Sequence, residues 1–280
     1  MNTILVPTDY SNTAFNALYY ACELALKNDA CLILLHVYDI PMVDANMAME
    51  LMSSMEKEIE QQTHKDLEQL MTKINDSAGG DRFNNLNVSY EARHGFALEQ
   101  IIEVAEEKGA GMIVMGTTGA SGIKEYLMGS NTQKVLEHST IPLLAVPDNA
   151  RFEGIERIVY ASDLRESDKP ALTQLARFAR QFNAVIDVLH VFQHTDEEVR
   201  NYNNELTEWI REHIPGEQIT FDSVYGKDKE EAVDRYIDDQ NADILAMLTR
   251  KRNFFQRMFS SDLTKKMAYH TEIPLLAFHE

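Results

Sequence analysis

A chain of 280 residues, 44% hydrophobic and 25% charged, has the length of two ordinary domains, each able to bury its own core. Its formal net charge of −19 argues against nucleic acid or an anionic membrane as a partner, and its longest apolar runs, such as Leu32 to Val37, fall far short of a membrane span. The start, Met1-Asn2-Thr3-Ile4-Leu5-Val6, has no basic leader and no cleavage site, so a strand and a cytoplasmic location are expected, with Cys22 and Cys31 as free thiols in a reducing compartment.

Thr3 to Asp9 reads as a short strand running into a turn. Ser11 or Asn12 then caps a helix to about Lys27, with Ala14, Leu18, Cys22 and Ala25 on one face. Cys31 to Val37 is a second strand, apolar and therefore expected to be central. From Asp44 to about Ile74 runs a long segment in which Met47, Leu51 and Met55 recur at helical spacing, a stripe best read as packing surface. After the Ala78-Gly79-Gly80 break, Leu86 to Ala92 alternates as a strand near a sheet edge would. Gly95 precedes a helix over Ala97 to Glu107, Met112 to Met115 is a fourth strand, Ser130 to about His138 a helix, and Ile141 to Val146 a fifth strand. Strands alternating with helices predict an α/β domain with a mostly parallel sheet, whose ligand lies beyond the carboxyl ends of the strands at the switch point. That places Pro7, Thr8 and Asp9, Val37, and the loop after the fourth strand around one crevice.

The loop carries the chemistry. Met115-Gly116-Thr117-Thr118-Gly119 is followed, nine residues on, by Gly129-Ser130-Asn131-Thr132 at the start of the next helix. Glycine lets the backbone come close to a phosphate, and the unpaired amides of a helix's first turn point at its charge. Ser130 and Thr132 add hydroxyls for the phosphates or for a metal that they bring. The spacing G-x-x-G-x9-G-S is neither the P-loop nor the dinucleotide G-x-G-x-x-G.

Pro147 to Glu156 is a short polar linker, after which the pattern restarts. Arg157 to Asp163 repeats Thr3 to Asp9, and Val188-Leu189-His190-Val191 repeats Leu34-Leu35-His36-Val37, both shifted by 154 positions. Later, His270 matches His138 and Ile273 to Ala277 matches Ile141 to Ala145, both shifted by 132, so the second copy is shorter by 22 residues. The loss falls between the second strand and the Gly95/Gly226 turn, and the first copy therefore carries an extra piece of about two helical turns or a long loop.

Carried across, Gly116 becomes Leu248, Gly119 becomes Lys251, Gly129 becomes Ser261 and Ser130 becomes Asp262. A carboxylate about 4 Å from a phosphate costs on the order of 4 kcal/mol at an effective dielectric near 20. Arg250, Lys251 and Arg252 offset part of that, and read as a solvated turn. The second copy is expected not to bind ATP in the same manner. The repeated His36 and His190 read as structural, His138 and His270 as favouring a helix dipole, and Asp9 has a plain alternative role as a helix cap.

With repeat and motif together, the chain resembles a tandem universal stress protein of the ATP-binding branch. The resemblance rests on Val6-Pro7-Thr8-Asp9-Tyr10-Ser11, His36-Val37, Met115-Gly116-x-x-Gly119, Gly129-Ser130 and Ile141 to Val146. It implies two tandem open parallel five-stranded sheets of the adenine nucleotide alpha hydrolase-like, Rossmann-like type, domains at 1–147 and 156–280, and a pseudo-two-fold pairing through antiparallel fifth strands. A homodimer of whole chains is a further family habit. ATP with a divalent ion, Mg by expectation, would have its adenine against Pro7, Thr8 and Val37, and its ribose on Asp9 flanked by Met115 and Gly116. Its phosphates would lie on Gly119, Gly129, Ser130, Asn131 and Thr132, with Thr117 completing the loop set. Asn131 departs from the small residue usual there but keeps a donor, and Asp243 replaces Gly111 away from the ligand. The expected function is an ATP-binding regulatory protein of the stress response, acting on an unidentified protein partner. The alternatives are a weak ATPase or transferase and a nucleotide-free interaction module. No nucleophile–base pair, metal-ligand spacing or paired carboxylates stand out, so no catalytic residue is assigned.

Overall fold

The computed structural model describes residues 2–39, 49–117, 129–193, 197–249 and 273–279. In the first copy these form β1 (Thr3–Pro7), α1 (Asn12–Asn28), β2 (Cys31–Tyr38), α2 (Met49–Ser77), β3 (Val88–His94), α3 (Ala97–Glu107), β4 (Met112–Gly116), α4 (Ser130–His138) and β5 (Leu143–Val146). The second copy gives β6 (Arg157–Ala161), α5 (Asp168–Arg180), β7 (Val185–Phe192), α6 (Glu197–His213), β8 (Ile219–Tyr225), α7 (Lys229–Gln240), β9 (Ile244–Thr249) and β10 (Leu275–His279). The α/β class and the repeat both hold. Met47, Gly119, Lys251, Ser261, Asp262 and His270 lie outside the described residues.

The chain divides into two compact units, one reaching Val135 and the other resuming at Leu136. In the first, the strands run in the order β3, β2, β1, β4, all parallel. The apolar spacing that made β1 and β4 buried strands is borne out by Ile4, Leu5, Ile113 and Val114, all fully buried. Chain order reverses between β1 and β4, which is the switch point. In the second unit the order is β5, β10, β9, β6, β7, β8, parallel except for β5 against β10. Leu144 faces Leu276 there, so the last strands of the two copies pair antiparallel and β5 falls in the second unit.

Local caps follow the sequence. Ser11 is the N-cap of α1, its hydroxyl accepting from the Ala14 N–H at 3.2 Å. Left-handed backbone recurs at matching places: Tyr10 with Leu164, Asp29 with Asn183, and Gly109 with Asn241. The extra piece of the first copy is helical, since α2 has 29 residues and α6 has 17. Among its described side chains Leu67, Leu70, Met71 and Ile74 are buried and Met55 is half-buried, while Met47 and the side chain of Leu51, the rest of the expected stripe, lie outside the description. The strand expected over Leu86 to Ala92 is shifted to Val88–His94, because β3 stays in register with β2 as far as Tyr38 opposite His94, and the turn falls at Gly95 as expected.

Candidate functional site

At the switch point, the carboxyl end of β1 turns sharply. Thr8 N–H donates to the Leu35 carbonyl at 2.8 Å, and Thr8 Oγ1 accepts from Tyr10 N–H at 3.1 Å. His36 Nδ1 lies 2.8 Å from the Thr8 carbonyl, which only accepts, so Nδ1 carries the proton. The histidine is thus a peg for the corner, in keeping with its structural reading. Tyr10 takes a positive φ of 62° and lays its ring 4.6 Å from that of His36. Burial, with Asp66 nearby, pushes its phenol up to about 12. The corner leaves Pro7 and Thr8 buried and Asp9 exposed, with Asp9 Oδ1 accepting from Ser11 N–H at 3.0 Å. Asp9 therefore braces the turn while Ser11 caps the helix, and its carboxylate stands at the surface of the crevice.

β4 brings the second wall. Met115 is buried, and Gly116 and Thr117 are half-buried at the strand end. A Cβ on Gly116 would lie 2.7 Å from Thr13 Cγ2 and 2.9 Å from the Thr13 carbonyl carbon and oxygen. Gly116 is thus required by the first turn of α1, which crosses directly over it. This neighbour was not foreseen, because Thr13 is an ordinary helix residue in the sequence and only the α1–β4 crossing gives it a role.

Two bonds close the base of the glycine loop. Gly129 N–H donates to the Thr117 carbonyl, and Thr132 Oγ1 donates to the Gly116 carbonyl at 2.8 Å. Thr132 is only 4% exposed. Its hydroxyl is therefore spent on clamping α4 to β4, a different role from the phosphate donor expected of it. The first intrahelical bond of α4 runs from Gln133 N–H to the Gly129 carbonyl at 3.0 Å. That leaves the amides of Ser130, Asn131 and Thr132 outside the helix ladder, at the positive end of the dipole. Ser130 and Asn131 are exposed, Gly129 and Val37 half-buried. Of the sequence-derived set, the structure gathers Pro7, Thr8, Asp9, Met115, Gly116, Thr117, Gly129, Ser130, Asn131 and Thr132 around the β1–β4 junction, with Val37 at the end of β2. Gly119 lies outside the described residues.

The second copy has the same frame with a different filling. Leu248, in the place of Gly116, is a buried side chain on β9. The helix after β6 also starts later than its counterpart: α5 begins at Asp168, the match of Ala14, whereas α1 begins at Asn12. Asp168, 2% exposed, accepts from Tyr160 OH at 2.9 Å, Ser162 OH at 2.7 Å and Arg165 N–H at 3.0 Å. Among the described residues no cluster of His, Cys, Asp or Glu is placed to hold a metal ion, and no helix is long and apolar enough to cross a membrane.

Comparison with known proteins gives one family. The sequence model of the universal stress protein family matches residues 1–147 and again 154–279. A universal stress protein of Methanocaldococcus jannaschii is 31% identical over 146 residues, 51% of this chain and 80% of its own length. A second from that organism is 29% identical over 155 residues, 51% of this chain and 93% of its own length. Among solved structures, a universal stress protein from Archaeoglobus fulgidus covers 99% of this chain, and 98% of its own is covered, with a TM-score of 0.72 at 17% identity.

Proposed function

Since the chain belongs to the universal stress protein family in both halves, we propose that its first repeat holds ATP, with a divalent ion, and that the second does not bind ATP in the same manner. The observation that carries this is the β1–β4 junction. There an exposed carboxylate at Asp9 ends β1, and β4 beside it leads through Gly116 to a helix start whose first three amides are unbonded within the helix and whose loop is clamped at its base. A triphosphate supplies dispersed negative charge, and that is what backbone amides and a helix dipole stabilise.

Each residue has a task that its chemistry supports. Asp9, an acceptor only, suits the two ribose hydroxyls. Val37, at the end of β2, offers backbone to a base edge, and Pro7, Thr8 and Met115 give the base and sugar an apolar floor. Gly116, Thr117 and Gly119 keep the loop backbone bare. Ser130 and Asn131 present amides and a hydroxyl to the phosphates, and Gly129, whose own amide goes to the Thr117 carbonyl, leaves the backbone beside them bare. Thr132 positions that helix start through the Gly116 carbonyl. Among the described residues no group is placed to activate water in the way that nucleotide hydrolysis requires. In this reading ATP is a bound signal that sets the surface offered to a partner protein. The second repeat, with Leu248 for Gly116 and acidic Asp262 for Ser130, serves as the pairing half.

The test is to denature the purified protein and identify released nucleotide, then to incubate it with Mg-ATP and follow ADP. Bound ATP without turnover is the expected result. Steady turnover would make the chain an ATPase, and a chain that neither carries nor takes up ATP would overturn the proposal.

A further inference from the structure

α2 is too long for the strands that it covers. Its 29 residues measure about 44 Å, whereas the 8 of β2 and the 7 of β3 reach only about 26 Å and about 23 Å. Because β2 and β3 are parallel, the helix between them starts at their carboxyl ends and finishes at their amino ends. The buried Leu67, Leu70, Met71 and Ile74 fall in its later half, over the sheet. Residues 53–62 are exposed except Met55 and Ile59, half-buried and one turn apart on one face. The surplus length therefore projects beyond the carboxyl rim of β2 and β3.

That rim is aromatic. Tyr38 faces His94 across the ladder, ring centroids 6.0 Å apart. Gly95, at a φ of 131°, turns the chain while its N–H donates to the Tyr38 carbonyl at 3.2 Å. Phe96 follows, 76% exposed, more than any other large hydrophobic among the described residues, and as N-cap of α3 its side chain makes no capping bond. The charges around these rings are mainly negative. Burial, with Glu60 and Glu56 adding, raises the Tyr38 phenol, so both carboxylates act on that ring. Asp39 beside Tyr38 and Glu99 in the first turn of α3 are exposed. Lys57 and His94 stand against them, while Arg93 is taken up by Glu91 and Glu107. The second repeat keeps the corner and reverses its sign. Phe192 and Tyr225 pair at 5.9 Å, Gly226 N–H donates to the Phe192 carbonyl at 3.1 Å, and Lys227 then stands in the place of Phe96.

We propose that the rim formed by Tyr38, His94 and Phe96, with Glu56 and Glu60 of the projecting helix, is a docking surface for an arginine-bearing segment of a partner protein. A guanidinium lies flat on an aromatic ring and forks onto a carboxylate, and this surface offers both. An acidic segment would meet like charge, and a purely apolar one would cover the carboxylates with no counter-charge.

The inference stands apart from the nucleotide reading, and its test uses the full chain without nucleotide. A fluorescein-labelled peptide of alternating Arg and Gly is titrated with protein and followed by anisotropy, at about 0.15 M salt so that charges beyond about 8 Å are screened. The titration is repeated with the Lys-Gly peptide. The arginine peptide should bind about threefold or more tighter than the lysine peptide, a difference that Coulomb attraction alone does not give. Glu56→Gln with Glu60→Gln should weaken it about fivefold or more, and Phe96→Ala about threefold or more. Glu205→Gln with Glu208→Gln, which removes the same charge from exposed positions of α6, should leave it within about twofold. The Glu and Phe positions changed are all exposed, so the variants keep the fold, and the comparison of peptides needs no variant. No binding, equal affinity for the two peptides, or equal weakening by the two double variants would each overturn the inference. Self-association of the chain in sedimentation that Phe96→Ala abolishes would assign the surface to a second copy, and would overturn it too.

Discussion

At the scale of single residues, Gly116 joins fold and site. The atoms that a Cβ would strike include the carbonyl carbon and oxygen of Thr13, and backbone inside a packed helix cannot step aside as a side chain can. Gly116→Ala is therefore expected to cost about 1–3 kcal/mol, in the range of overpacked cores. In urea the unfolding midpoint should fall while the slope stays constant. The second residue-scale prediction concerns Asp234 on α7, whose Oδ1 is buried without a hydrogen-bond partner among the described residues. Burial, with Asp238 and Asp228 adding, pushes its carboxyl up to about 6. A raised folded-state pKa favours the protonated form, so its contribution to stability is full below the unfolded carboxylate range and is lost as pH rises through about 6. Asp234→Asn should thus stabilise the protein at pH 7, by about 1 kcal/mol once solvent screening of this half-buried group is allowed for. The gain should vanish in thermal melts near pH 4.

At the scale of elements, β7 carries a charge that its twin lacks. Asp187 lies in the middle of the strand with a side chain 2% exposed, and it accepts from Arg157 Nη1 at 2.5 Å on β6 and from Thr220 Oγ1 on β8. In the first repeat the matching residues are Ile33 and Thr3, and Ile33 is buried. The ion pair replaces apolar packing, a substitution that is often neutral in net stability, whereas removing one partner strands the other. Asp187→Ala should destabilise by about 3–5 kcal/mol. The double change Arg157→Thr with Asp187→Ile, borrowing the first repeat's residues, should recover most of that in equilibrium denaturation. Recovery no better than the single variant would show that the pair does more than fill the strand. Elements were also where the sequence was most legible. The bounds of α3 and α4 came from periodicity and capping, and the N-cap of α1 was narrowed to Ser11 or Asn12, because those signals are local, with Ser11 chosen in the structure. The burial of Leu67, Leu70, Met71 and Ile74 late in α2 was not foreseen, since several apolar stripes shared its length and its position against the sheet decides which are covered.

At the scale of the whole molecule, β10 completes the second unit. Leu276 pairs with Ala246 on one side in parallel and with Leu144 on the other, antiparallel. His279 Nε2–H adds a bond to the Leu136 carbonyl in the last turns of α4, at 2.8 Å, and burial holds the imidazole below its ordinary pKa. Leu276→Pro would remove a ladder donor inside a strand bonded on both edges, and should cost about 3 kcal/mol or more. Sedimentation should then reveal association through the strand edges left open at β5 and β9.

Alternation of strands and helices and a glycine loop after a buried strand were written in the order of the residues, because each depends on neighbours a few positions apart, and the 154 and 132 offsets were legible because each copy repeats such local patterns. What only the tertiary structure decided are contacts between residues far apart in the chain. Thr13 lies over Gly116, the Thr132 hydroxyl is turned inward to a carbonyl, and Arg157 meets Asp187. A side chain's partner is set by which elements cross, and that crossing is fixed by the packing of whole faces rather than by any local motif.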